Sequence, residues 1–72
     1  MISKAEQEYV RIIGECTRHR KLQGITQANV GESMGIYQQD ICKMETCRHI
    51  PNMVKFLEYL DSIGLKVELK EV

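Results

Sequence analysis

Apolar residues recur at three- and four-residue intervals along most of this chain of 72 residues and change to strict alternation near its end. Ala5, Tyr9, Ile12, Ile13 and Cys16 predict the buried stripe of a first helix over 4–22, because residues three and four apart share one helix face. Ser3, with Glu6 three residues on, supplies a capping box for its start. Val30 and Met34 define one face of a second, shorter helix, and Ile41 with Met44 one face of a third. Met53, Phe56, Leu57, Leu60 and Ile63 predict the inner stripe of a fourth, over 53–63, capped by Asn52. After Gly64, Leu65, Val67 and Leu69 alternate with Lys66, Glu68 and Lys70, which is the period of a half-buried strand. The expected class is therefore mostly α: a four-helix domain over 1–64 and a short C-terminal β-strand over 65–72.

The punctuation between these stripes sharpens the picture. Gly24 closes the first helix and Thr26 caps the second. Gly35 stands where a tight turn between helices two and three needs a residue at positive φ. Gly31, on the inner face of helix two, leaves room for helix three to approach, and Ile36 can plug the angle between them. The third helix is expected from Gln38 to about Thr46, with Gln38, Gln39, Cys42 and Lys43 outside the apolar seam. Residues 46–51 form a loop, and Gly14, inside the first helix, has no reading beyond close packing. Two helices joined in this way form either an ordinary helical hairpin or the helix-turn-helix whose second helix enters the DNA major groove.

The terminal strand raises its own question. A lone strand cannot satisfy its backbone N–H and C=O groups. The economical solution is antiparallel pairing with the same segment of a second copy, through Leu65, Val67 and Leu69. A frayed tail is the alternative.

A hydrophobic content of 43% and a charged content of 28% suit a folded chain and exclude a disordered one. A single domain of this size buries only about 60% of its unfolded surface, so a partner subunit would add stability. The formal net charge is zero, although residues 11–48 hold six cations against four carboxylates. Non-specific attraction to phosphate should then be weak. The start of the chain lacks the apolar run of a secretory signal, no stretch reads as a membrane span, and three cysteines are an odd number. A cytoplasmic protein with reduced thiols is expected. Cys42, Cys47 and His49 lack the spacing and the fourth ligand of a zinc site, so no metal or other cofactor is expected. A redox role for Cys42 or Cys47 stays open. No nucleophile–base pair, phosphate loop or carboxylate pair suggests an enzyme.

Arg20, the Gly-Ile-Thr-Gln run at 24–27, Gly31, Gly35, Glu45 and Pro51 together resemble the XRE-type (Cro/phage-repressor) helix-turn-helix family over residues 9–64. The resemblance implies a lambda-repressor-like fold. It implies that Gln27 contacts backbone phosphate and that Gln38 and Gln39 read bases, since Gln can pair with adenine N6 and N7. Lys43 would reach a guanine or a phosphate, and Arg48 a phosphate. Arg20 and Glu45 match a structural ion pair between helices one and three. Tyr37, an unusual cap residue, either contacts phosphate through its hydroxyl or packs on the hairpin. Asp40 on the DNA-facing helix, and Cys47 in place of a common Gly, depart from the family pattern. The terminal strand is similar to the dimerising strand of HipB-like antitoxins.

The function so implied is a homodimeric, sequence-specific regulator, by default a repressor, bound to double-stranded DNA at a palindromic operator. An antitoxin that represses its own operon and neutralises a toxin protein is the alternative. An adaptor without DNA binding is the third reading.

Overall fold

The computed structural model describes residues 2–72, and they build four α-helices: α1 (Lys4–Leu22), α2 (Gln27–Met34), α3 (Gln38–Glu45) and α4 (Met53–Ser62). The protein is mostly helical. The α1 start carries the reciprocal Ser3–Glu6 box, each bond 3.1 Å. A second such box starts α2, where Thr26 and Asn29 exchange two bonds of 3.0 Å. The Asn52 side chain accepts from the Lys55 N–H at 2.8 Å and caps α4. Only α3 starts without a side-chain cap, because its cap residue is Tyr37.

All four helices stop in the same way. The N–H groups of Ile25, Ile36, Arg48 and Leu65 donate back to the carbonyls of Arg20, Gly31, Lys43 and Leu60, respectively, closing each last turn in a Schellman pattern. The residue before each of these donors lies at positive φ. It is glycine in three helices, and at the end of α3 it is Cys47, at φ 63°.

The core gathers at the centre of the four helices. Ile13, Cys16, Val30, Ile41, Met44, Tyr59, Leu60 and Ile63 are buried, with Tyr9, Ile12, Ile25, Met34, Ile36, Phe56 and Leu65 packed around them. Gly31 is the tightest point: a Cβ there would lie 2.8 Å from the Ile36 carbonyl oxygen and 3.3 Å from the Gln38 nitrogen. Backbone of the turn into α3 therefore rests directly on α2.

Three sequence expectations about the helices change. Ala5 is exposed, because the first turns of α1 project beyond the core. On α4 the inner stripe is rotated: Met53 (66% exposed) and Leu57 face outward, while Tyr59 is fully buried. The helix is apolar over most of its circumference, so periodicity alone does not say which arc faces inward. Gly14 has nothing within 4 Å of an added Cβ, so close packing does not explain it.

No strand forms among the described residues, and 65–72 takes no regular secondary structure. A strand needs a hydrogen-bonded neighbour, and the chain offers this segment none.

Candidate nucleic-acid interface

The outer face of α3 is held in place from behind by one carboxylate. Glu45, at the α3 C-terminus, receives Arg20 Nε at 2.7 Å and Nη2 at 2.8 Å from α1. It also receives the Gln27 amide at 3.0 Å from α2 and the Tyr59 hydroxyl at 2.6 Å from α4. The Arg20 and Glu45 side chains are only 6% and 3% exposed. Arg20 Nη1 also donates to the Ile25 carbonyl at 2.7 Å, and no buried side-chain polar atom among the described residues lacks a partner. A buried ion pair is tolerable only when its remaining donors and lone pairs are satisfied in this way.

The electrostatics follow the geometry. Burial pushes the Glu45 carboxyl up, but the hydrogen bonds from Arg20, Tyr59 and Gln27 outweigh it and leave the group below the usual carboxylate range. The hydrogen bond to Glu45 raises Arg20 against the effect of burial. Burial and the Glu45 contact raise Tyr59 and keep its hydroxyl protonated. A second tyrosine ties α1 to α3: the Tyr9 hydroxyl donates at 2.7 Å to the Met44 carbonyl, which also accepts from the Cys47 N–H at 3.3 Å. Burial pushes Tyr9 up to about 12.

In front of this anchor, the residues singled out in the sequence fall into two adjoining hollows. One is lined by Gln27, Tyr37, Gln38, Gln39 and Cys42, and the other by Asp40, Lys43, Met44, Arg48, His49 and Lys55. Tyr37 (75% exposed), Gln38, Gln39, Lys43 and Arg48 are all open to solvent. Tyr37 does not pack on the hairpin. Gln27 is half-buried, and one of its amide N–H donors is committed to Glu45, which leaves the other for a second acceptor.

The first hollow carries three side-chain amides and no acidic or basic side chain. The second is basic, with Lys43, Arg48 and Lys55 around Asp40, which is in no ion pair among the described residues. From the sequence, Lys55 is not marked for this face, and His49 is weighed only as a metal ligand. Lys55 enters the basic hollow because the Asn52 cap places the first turn of α4 beside Lys43 and Arg48, a neighbourhood no local spacing reveals.

The chemistry this surface can perform is recognition. It offers two planar amides able to donate and accept in a bidentate way, next to a cluster of cations. Among the described residues no group of three or more metal-ligating side chains comes together, and the three cysteines are free thiols. Among the described residues no helix is long and apolar enough to cross a membrane. Fold and site thus define a small four-helix domain with an exposed amide-and-cation face on α3. Comparison of the chain with protein-family models, with curated proteins and with solved structures finds no match.

Proposed function

We propose that this protein is a sequence-specific DNA-binding regulator of the XRE helix-turn-helix type, acting as a homodimer on a palindromic operator and, by occluding a promoter, as a repressor. The observation that carries the reading is the pairing of a solvent-facing Gln38–Gln39 edge with a rear anchor at Glu45 that ties α3 to every other helix. Bidentate base reading needs donors fixed to a fraction of an ångström, and a helix held from three directions supplies that. In this reading α3 lies in the major groove with Gln38 and Gln39 on base edges. Lys43, Arg48 and Lys55 meet phosphate, and Tyr37 and the free N–H of Gln27 contact the backbone at the α2 end. Asp40 then accepts from a cytosine N4 amine or lowers affinity in the basic hollow.

The test is selection of bound sequences from a random duplex pool at about 50 mM salt, where phosphate contacts are strong. Enrichment of a palindrome with half-sites about 34 Å apart supports the reading. No enrichment overturns it.

An antitoxin-like second reading keeps the DNA-binding face and adds a protein partner. It is favoured by one observation: Ile50, Met53, Val54 and Leu57 form an exposed apolar run across the start and outer side of α4. Contiguous apolar surface of this kind marks interaction sites more often than isolated exposed residues do.

A further inference from the structure

The segment after α4 begins docked and ends free. Leu65 is half-buried against the core, and its N–H donates to the Leu60 carbonyl at 2.9 Å. Leu65, Lys66, Val67 and Glu68 form one rim of a groove whose other lining includes Ile12, Cys16, Phe56 and Leu60. Beyond Leu65, no backbone group up to residue 72 has a backbone partner among the described residues. Val67 is 49% and Leu69 94% exposed. An apolar face thus runs off the core, along a row of unpaired N–H and C=O groups.

We infer that two copies pair residues 65–69 as antiparallel strands about a two-fold axis at Val67. This deepens the dimer proposed above and does not depend on DNA. In an antiparallel pair, directly opposite residues point to the same face. A symmetric pair of identical strands must therefore have its axis beside one residue and its own copy. Four centres are available: Lys66, Val67, Glu68 and Leu69. Centring on Lys66 sets Lys66 against itself. Centring on Glu68 sets Glu68 against itself and Lys66 against Lys70. Both place like charges in direct opposition, which destabilises a pair. Centring on Leu69 matches Glu68 with Lys70 but sets Val67 against Glu71. Only the Val67 centre places Lys66 of each copy opposite Glu68 of the other, Leu65 opposite Leu69, and Val67 opposite itself. Charge then pairs with charge on one face. Leu69, the most exposed of the three apolar residues, is brought beside the groove where Leu65 is already docked.

The test is sedimentation of the full chain without DNA. Lys66→Glu and Glu68→Lys are each expected to weaken the dimer about tenfold or more, since each turns two attractions per dimer into repulsions. The double variant Lys66→Glu/Glu68→Lys restores dimerisation, and Lys70→Glu leaves it unchanged. All these side chains are exposed, so the helical signal stays as in the parent protein, while the thermal transition falls only as far as the lost partner had raised it. In a background with Cys42 and Cys47 replaced by Ser, Val67→Cys oxidises to a cross-linked dimer. Leu65→Cys and Leu69→Cys do so only when mixed, because opposite Cα atoms lie within disulfide reach. A monomeric parent overturns the inference, as does a dimer sensitive to Lys70→Glu and indifferent to Lys66→Glu. A dimer indifferent to all the charge changes places the interface elsewhere and also overturns it. Loss of operator selection with these dimer results intact would overturn only the DNA-binding proposal.

Discussion

The Tyr59 hydroxyl donates to Glu45 Oε2 at 2.6 Å, so the middle of α4 is bonded to the end of α3 by a contact that also completes a buried carboxylate. Tyr59→Phe keeps the ring and removes this one donor. A hydrogen bond to a charged group contributes about 1.5–3 kcal/mol, and that loss of stability is expected in urea titration. An unchanged midpoint would mean that the contact contributes nothing net. Arg20→Met is expected to cost more, about 3–5 kcal/mol, because it leaves Glu45 buried without its counter-ion.

The same carboxylate gives the domain an acid limit. The Glu45 carboxyl is held below its ordinary value in the fold, so the unfolded chain takes up the proton first. Its contribution to stability is then fully present above the unfolded value of about 4.3 and is lost as pH falls through the folded value. Glu45→Gln is expected to be less stable than the parent at pH 7, with a flatter decline below about pH 5. Tyr9 acts at the other end of the scale. Raised to about 12 in the fold, it contributes stability that is present below its unfolded value and lost as pH climbs toward the folded one.

Gly31 and Gly14 are expected to respond to alanine with opposite signs. At Gly31 a Cβ meets backbone at 2.8 Å, so the turn into α3 must move, at a cost of about 1–3 kcal/mol. At Gly14, exposed in mid-helix with open space around it, alanine is expected to raise stability by about 0.8–1 kcal/mol. Thermal unfolding of the two variants side by side decides the point. Stabilisation by Gly31→Ala would show that the α2–α3 approach is looser than the geometry implies.

Cys47 holds the left-handed position that glycine holds at the other three helix ends. A non-glycine residue there carries a steric cost of roughly 1–2 kcal/mol, part of which glycine returns through a more flexible unfolded state. Cys47→Gly is therefore expected to raise the melting temperature by a few degrees. A lower melting temperature would mean that the thiol makes an interaction that outweighs its strain.

Gln38→Ala and Gln39→Ala are each expected to relax preference at one base pair by about 1–3 kcal/mol. Arg48→Ala and Lys55→Ala are expected to weaken every sequence alike and to reduce the salt dependence of binding. Titration of an enriched duplex and its point variants at two salt concentrations separates the two behaviours. Unchanged site preference in Gln39→Ala would remove α3 from the role of reader.

Where the chemistry is local, the chain announces it. Ser3 with Glu6, Gly35 at its turn and the Asn52 cap each depend on residues within a few positions, and each is found in the fold. Gly31 could be read because the lack of a side chain is itself the signal. The inward arc of α4 could be read only in part: Phe56, Leu60 and Ile63 face the core as their spacing says, but Met53 and Leu57 do not and Tyr59 does. The buried hydroxyl of Tyr59 finds its acceptor in Glu45, fourteen positions earlier, once α3 has docked. The pairing of Gln27 with Glu45 and the place of Lys55 in the basic hollow are likewise set by how helices meet. The partner proposed for 65–69, a second copy, lies outside a single chain altogether.

Because every contact that fixes α3 leaves from its inner side or its last residue, its outward positions contribute little to holding the domain together. Gln38, Gln39 and Lys43 can therefore be exchanged in combination while the scaffold keeps its shape. Under the proposed DNA-binding function, the molecule separates what it is from what it reads. A lineage, or a library, could explore new targets by changing three exposed side chains, with no need to refold the domain around each choice.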